Sequence, residues 1–273
     1  MSVGLLLPLA VIAAVILLAV IGPVAMPYPP DAFVARPLLP PSQAHPLGTT
    51  ALGQDVLAQL LVGARPSVVV AAIGATLSTA LALAVGLAAG LGRRADALVR
   101  SAADLFLAVP HLPLLILVVA LVGPSLLTIA AALGLLSWPA FARVVRAQAR
   151  SELARGYVEA ARAIGGSELR ILVRHVAPAL GPIVLAKFLL TVQYVVLAEA
   201  SLAFLGLGDP VLVSWGGMVH RAMGYGLLFA TPAWSWWLLP PVLGIALFVA
   251  SLALLGTALD ERATPALRAL RPR

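Results

Sequence analysis

The sequence predicts an all-α membrane protein with six transmembrane helices. Of its 273 residues, 62% are hydrophobic and 11% are charged, whereas a soluble domain has about 45–50% apolar and about 25% charged residues. A helix that crosses the hydrocarbon core needs about 20 residues with few or no charges, and such stretches recur along the chain. The absence of cysteine excludes a disulfide scaffold and thiolate metal sites.

The first two spans follow from uncharged stretches in the N-terminal third. The stretch at 5–24 lacks the basic n-region of a secretion signal and is longer than the apolar part of one, so we expect an uncleaved helix. The stretch at 67–91 is rich in glycine and alanine, which favour close helix packing in lipid. Both are therefore predicted to cross the membrane.

The remaining four spans lie in the C-terminal two thirds. The uncharged stretch between Asp104 and Arg143 is too long for one crossing and predicts a hairpin of two spans, with a turn at Gly123-Pro124-Ser125. The fifth span is predicted at 183–205. The sixth is predicted at 236–256, beside a tryptophan cluster typical of a membrane interface.

Positive charge is concentrated on one side of this predicted topology. The positive-inside rule assigns that side, with both chain ends, to the cytoplasm. The chain then divides into 1–65, the first helix and an extracytoplasmic segment; 66–258, a five-helix core containing a cytoplasmic loop at 143–182; and 259–273, a cytoplasmic basic tail. The basic surplus thus indicates orientation rather than nucleic-acid binding. Fourteen of the 18 basic residues lie on that side: Arg93, Arg94, Arg100, Arg143, Arg146, Arg150, Arg155, Arg162, Arg170, Arg174, Arg262, Arg268, Arg271 and Arg273.

The 143–182 loop predicts two short helices. The first is expected to begin at Ser151 as N-cap and to stop at Gly165-Gly166; the second is expected to begin at Ser167 and to end at Pro178. Composition leaves two interpretations open, a solvated basic loop that only enforces topology and a knob that docks to a soluble partner. One face of the first helix is expected to hold the apolar side chains of Leu153, Val158, Ala161 and Ile164.

The spacing of Glu159-Ala160-Ala161, Gly165 and Pro178 resembles the EAA loop of ABC importer permeases. The chain as a whole is similar to the C-type permease of the dipeptide, oligopeptide and nickel importer group. This resemblance covers about residues 45 to 220. It is also carried by His45-Pro46-Leu47-Gly48-Thr49 with Gly53, Asp55-Val56-Leu57, Gly63-Ala64-Arg65, Asp104 with Pro110, Trp138-Pro139, Ala142-Arg143, Arg146, Arg174-His175, Glu199-Ala200-Ser201-Leu202, Phe204-Leu205-Gly206-Leu207-Gly208 and Ser214-Trp215-Gly216.

The resemblance implies a type I ABC importer permease fold in the bacterial cytoplasmic membrane. It implies half of a translocation pathway for a small solute, a peptide first and nickel or another solute second, completed by a second homologous permease. Two ABC ATPase subunits and an extracytoplasmic solute-binding protein are the other implied partners. The implied ATPase-coupling residues are Arg155, Glu159, Ala160, Ala161, Arg162, Gly165, Gly166 and Pro178.

No cofactor is expected on this chain. The sequence contains no G-x-x-x-x-G-K-[ST] loop for cradling nucleotide phosphates, so ATP and Mg²⁺ are expected on partner subunits, and the chain is expected to be non-catalytic. The predicted topology scatters the four histidines over both sides of the membrane, which excludes one shared metal site.

Several ionisable residues fall inside predicted spans, and Lys187, about one turn inside the end of the fifth, is expected to snorkel. Glu199 and His111 are candidates for the translocation path, because ionisable groups in a membrane are expensive; a purely structural role, pairing with a neighbouring helix, stays open for each. They also support an alternative function, a proton- or ion-coupled secondary transporter with these two residues as its relay. Dependence of uptake on ATP or on the proton gradient distinguishes the two functions.

Overall fold

The computed structural model describes residues 5–25 and 28–263, so residues 264–273 of the predicted basic tail lie outside the described residues. Within this part the chain is helical, and Thr49–Asp55 forms an isolated β-bridge. The helices are α1 Leu6–Ala25, α2 Val56–Ala88, α3 Arg93–Ala108, α4 His111–Val122, α5 Leu126–Leu153, α6 Gly156–Ala163, α7 Glu168–Ile171, α8 Ala177–Ala179, α9 Gly181–Phe204, α10 Trp215–Met223, α11 Trp234–Trp237 and α12 Leu239–Ala263.

Among the described residues, five stretches of helix are long and apolar enough to cross a membrane, and a sixth crossing results if α3 and α4 are counted as one broken span. The predicted all-α class is confirmed. The third span is not a single helix as predicted, because it is divided into α3 and α4, which meet at 81°. Val109 is extended (φ −89°, ψ 130°), as expected for a residue before proline, and Pro110 separates the two helices.

The second span begins well before its predicted start, at Val56. The carboxylate of Asp55 caps α2 by accepting a hydrogen bond from the Ala58 amide at 2.8 Å. The side-chain amide of Gln59 donates to the Pro30 carbonyl at 2.9 Å and to Oε1 of Gln54 at 2.8 Å, and Arg65 is exposed on the helix surface. Polar residues at the end of a span therefore do not mark where its helix begins.

Small residues bring α2 and α5 together along the centre of the bundle, where these two helices share their most extensive contact. A β-carbon added at Gly86 would lie 2.6 Å from the β-carbon of Val145, and one added at Gly134 would lie 2.8 Å from that of Leu77. The glycine-rich composition of the second span thus has the packing role expected in lipid.

Helix α5 continues past the predicted end of its span to Leu153, so the predicted cytoplasmic loop starts later than residue 143. Its last turns are held by ion pairs to α3, with Arg146 on Asp96 at 2.5 and 2.9 Å and Arg143 on Asp104 at 2.5 Å. Ser151 lies inside α5 and caps no helix, which corrects the predicted N-cap.

The two ends of α2 define two ends of the bundle. The coil of residues 28–55, which we call the outer segment, lies at the start of α2. Gln59 on α2 and Trp236 on α11 both donate hydrogen bonds to it. At the other end of α2, Gly90 lies against Leu153 and Leu172. Following the predicted topology and the predicted coupling residues, we call these ends the outer end and the coupling end.

Candidate functional site

The predicted coupling residues lie in one segment, residues 155–180, at the coupling end. Helices α6 and α7 follow α5 and lead through a π-helical turn, Leu172–Val176, and α8 into α9. Apolar side chains of the segment are almost completely buried against residues of α2 and α5. These buried side chains are Val158, Ile171, Leu172 and Val176.

A Schellman turn ends α6 and sets the direction of the chain towards α7. The amide of Gly166 donates to the Ala161 carbonyl and the amide of Gly165 donates to the Arg162 carbonyl, both at 2.9 Å. This pair of hydrogen bonds is typical of that motif. Gly165 has φ +85°, a left-handed conformation that glycine adopts without strain. A β-carbon on Gly166 would lie 2.7 Å from the Ala161 carbonyl oxygen. The two predicted stop residues thus have different roles, a left-handed turn and a close approach.

An ion pair braces the angle between α6 and α7. Arg162 donates to both carboxylate oxygens of Glu168, from Nε at 2.8 Å and from Nη2 at 3.1 Å. This hydrogen bonding lowers the pKa of Glu168 below its usual range, so the pair is ionised at neutral pH. Ser167 caps α7 as predicted, accepting a hydrogen bond from the Arg170 amide at 3.4 Å.

The exposed surface of the segment combines an apolar tip with charge. Leu153, Val158, Ala161 and Ile164 do not share one helix face as predicted. Leu153 is the last residue of α5, and Ile164 is the C-cap residue after α6 and is 88% exposed, whereas Val158 is buried. Leu169 on α7 is also exposed. Glu159 and Ala160 also lie on the exposed side, whereas Ala161 is half-buried.

The other predicted coupling residues are placed differently. Arg155 pairs with Glu152 at the end of α5 at 3.0 Å, and Tyr157 donates to the same carboxylate at 2.9 Å. Pro178 does not end the second helix as predicted; it lies in α8, within the first residues of a helical turn, where a missing amide hydrogen is tolerated. The helical path therefore continues from α7 almost directly into α9.

Glu199 lies in α9 towards the outer end and is buried, 3% exposed. Its Oε2 accepts a hydrogen bond from the hydroxyl of Ser67 on α2 at 2.9 Å. This contact joins two spans that are 132 residues apart in sequence, and it matches the structural role that stayed open for this residue.

His111 begins α4 and contacts Tyr194 on α9. The Tyr194 hydroxyl and Nδ1 of His111 are hydrogen-bonded, and the rings meet edge to face at 5.4 Å between centroids. Both residues line a largely apolar cavity of about 450 Å³ between α4, α5 and α9. Glu199 lines a different, much smaller cavity, so the structure does not bring the two intramembrane candidates together.

Two groups of ion pairs at the coupling end, one around Asp96 and one at Lys187, were not predicted from the sequence. Asp96 on α3 accepts from Arg146 and also from Arg100 and Arg150, at 3.3 and 3.4 Å. Lys187 near the start of α9 donates to Asp260 near the end of α12 at 2.6 Å. Lys187 and Asp260 are 73 residues apart in sequence. Only their opposite charges, each near one end of a span, could have indicated this ion pair.

Nothing in the described part of the chain groups three His, Asp or Glu side chains in a way that could hold a metal ion. The histidines are separately engaged. His45 bonds to Asp55 at 2.7 Å, His220 bonds to the Phe204 carbonyl at 2.7 Å, and His175 lies beside Tyr157.

A bundle of apolar helices long enough to cross a membrane, with a short angled segment packed against one end, is the architecture of a multi-pass membrane protein. Residues 78–269 match the family of binding-protein-dependent transport system inner membrane components. The chain belongs to this family and is therefore a multi-pass permease subunit of a bacterial inner-membrane ABC importer.

Relatives named as peptide transport permeases align over more than nine tenths of the chain. It is 34% identical to a putative peptide transport system permease protein of Brucella suis, over 95% of this chain and 87% of the relative. It is 33% identical to the di/tripeptide transport system permease protein DppC of Pseudomonas aeruginosa, over 93% of this chain and 85% of that protein. The full-length match confirms the predicted family.

The fold is also that of a solved importer. A chain of the MetNI methionine ABC transporter, in an inward-facing conformation, superposes with a TM-score of 0.58 at 18% identity, covering 76% of this chain and 96% of that one. This likeness confirms the predicted permease fold.

Proposed function

We propose that this permease imports small peptides, with a second homologous permease forming the other half of the pathway. Two ATPase subunits bind ATP and Mg²⁺ and hydrolyse the nucleotide, and an extracytoplasmic binding protein delivers the peptide. The peptide class is supported by the names of the relatives that align over most of the chain.

Residues 155–180, which we call the coupling segment, are the structural support for the proposal. Its exposed tip, Ile164 with Leu169, sits on a turn whose backbone is fixed by the Gly165 and Gly166 hydrogen bonds. Its opposite face is buried against the helix ends at Leu153 and Gly90. An exposed apolar tip on a rigid base is suited to insertion into a groove of a partner.

Coupling requires that the ATPase pair contact this segment differently in its two nucleotide states, because a ligand shifts a conformational equilibrium only through differential affinity. Closure of the ATPase pair then displaces α6 and α7. Since α7 continues through the π-helical turn and α8 into α9, the displacement reaches a span that lines the cavity at His111 and Tyr194.

The secondary-transporter alternative has less support. Its relay needs Glu199 and His111 to exchange protons, yet Glu199 bonds to Ser67 and His111 to Tyr194, in separate cavities. The family match also places the chain among importers served by a binding protein.

Reconstitution of the complex into proteoliposomes tests the proposed function. We expect uptake of a labelled di- or tripeptide that requires the binding protein and ATP, and that continues when an ionophore removes the proton gradient. Uptake that persists without ATP and stops with the ionophore would contradict the proposal and support the secondary transporter.

A further inference from the structure

A cavity of about 300 Å³ lies at the coupling end, where the end of α2, the start of α3 and the end of α5 meet. Gly90 and Gly92 line it between α2 and α3, Arg93 and Asp96 line it from α3, and Arg150 lines it from α5. Its volume is in the range of sites for small ligands and headgroups. These residues lie outside the coupling segment, and the proposed coupling mechanism makes no use of the cavity.

Positive charge exceeds negative charge at this cavity. Asp96 is the one carboxylate among the described lining residues, and Arg146 already donates to both of its oxygens, at 2.5 and 2.9 Å. Arg150 reaches the same carboxylate only at 3.4 Å, and its side chain is 60% exposed. Arg93 is exposed and belongs to none of the ion pairs found in the described part of the chain. Two guanidinium groups therefore keep N–H donors available for an anion.

The other carboxylates of α3 and of the end of α5 are engaged by other partners. Glu152, near the end of α5, is buried and bonds to Arg155 and Tyr157. Asp104, further along α3, pairs with Arg143. Neither carboxylate lines the cavity. The positive charge of the cavity is therefore not balanced by these two helices, and it is available to a ligand from outside the chain.

The outward face of α3 is apolar. Leu98 and Leu105 are 72% and 70% exposed, and they share one face because seven residues are about two helical turns. Asp96 lies on the other side of the helix, where it pairs with Arg146 of α5. A helix with a basic start and an exposed apolar face is suited to the boundary between lipid headgroups and acyl chains. The cavity at the first turn of α3 is therefore suited to a headgroup.

We propose that this cavity binds the phosphate of an anionic phospholipid from the cytoplasmic leaflet. Arg93 and Arg150 donate to the phosphate oxygens from α3 and α5, and Gly92, with no side chain and open space around it, leaves the approach clear. Basic pockets between membrane helices on the cytoplasmic side bind anionic headgroups in this way. An acidic side chain of an ATPase subunit is the competing occupant. The exposed leucines of α3 favour the lipid, because they are suited to acyl chains. The inference does not depend on which solute is imported.

Lipid binding by the assembled transporter tests the site. Native mass spectrometry of the complex, titrated with phosphatidylglycerol, should show binding at concentrations at which phosphatidylcholine does not bind. The double variant Arg93→Gln with Arg150→Gln should weaken phosphatidylglycerol binding by about tenfold or more. Arg93→Gln alone should weaken it severalfold. Arg94→Gln removes the same charge from the next residue, which does not line the cavity, and should weaken it by about twofold or less.

Thermal unfolding gives a second measurement. A ligand that binds only the folded protein raises its unfolding temperature, so phosphatidylglycerol should raise that of the wild-type complex in detergent and leave that of the double variant nearly unchanged. With phosphatidylcholine alone, the two complexes should unfold at similar temperatures, because Arg93 and Arg150 are both exposed. This comparison shows that the double variant is folded and that its loss of lipid binding is local.

The variants distinguish a lipid site from diffuse attraction and from other occupants. Weaker lipid binding by Arg93→Gln and by the double variant, with Arg94→Gln close to wild type, supports the inference. No weakening, or equal weakening by Arg93→Gln and Arg94→Gln, overturns it. Inorganic phosphate that displaces the lipid and stabilises the wild type as well as the lipid does would assign the cavity to a free anion. Loss of ATPase subunits from the double variant in phosphatidylcholine nanodiscs would assign the arginines to the ATPase. Each of these two results also overturns the inference.

Discussion

The hydroxyl of Ser67 on α2 donates to the buried carboxylate of Glu199 on α9 at 2.9 Å. We expect Ser67→Ala to destabilise the permease by about 1–3 kcal/mol, because a buried carboxylate loses a hydrogen-bond donor. Thermal unfolding in detergent measures this. Glu199→Gln keeps an acceptor for Ser67 and should be milder, with peptide uptake retained. Loss of uptake by a folded Glu199→Gln protein would indicate a direct role in transport.

The left-handed turn at Gly165 predicts a selective effect of substitution. Gly165→Val forces a β-branched residue to φ +85°, which costs about 1–2 kcal/mol or more, and should displace the α6–α7 turn. Gly165→Asn tolerates this conformation better and is the control, because the space around the position is open. Co-purification of ATPase subunits should fall for the valine variant and persist for the asparagine variant. Equal association of both would exclude the turn as a docking determinant.

The exposed tip of the coupling segment predicts loss of docking without loss of fold. Ile164→Asp introduces charge at a side chain that is 88% exposed, so thermal stability should change by less than about 0.5 kcal/mol. ATPase association and substrate-stimulated ATP hydrolysis should decrease strongly. Val211→Asp alters a similarly exposed apolar residue, 87% exposed, at the outer end and should leave both measurements unchanged. A coupled, ATPase-bound Ile164→Asp protein would contradict the proposed docking surface.

The Arg162–Glu168 pair predicts a charge-swap rescue. Arg162→Glu places two acidic side chains together and should loosen the angle between α6 and α7, lowering the ratio of peptide imported to ATP hydrolysed. The double variant Arg162→Glu with Glu168→Arg restores opposite charges and should recover much of that ratio. Failure of the second change to recover any of it would show that Arg162 acts through the ATPase and not through Glu168.

Local chain chemistry predicted several turns of this protein, although Ser151 and Pro178 do not bound helices as predicted. Gly165 and Ser167 occupy the conformations that their residue types favour, and Ser125 caps α5 by accepting from the Thr128 amide at 3.1 Å. Each of these features involves residues within a few positions of one another. Such features are present in the sequence as short patterns.

Features that depend on distant partners were not predictable in the same way. Helix α3 has charges along its length and reads as a loop when spans are sought as uncharged stretches. Asp96 holds α3 against α5 by pairing with Arg146, which lies 50 residues away in sequence. Likewise, Gln59 on α2 and Trp237 on α11 come to line one cavity only through contacts between parts of the chain that are far apart in sequence.

Asp209 fastens the loop after α9 to the first turn of α5 through the Leu126 amide, and the opposite end of α5 runs into the coupling segment. With 28 residues, α5 is about 42 Å long. In the proposed mechanism, a tilt of this helix imposed from the ATPase side swings the outer loop in the opposite sense. There, α5 is the lever arm between ATP hydrolysis and the outer opening of the pathway.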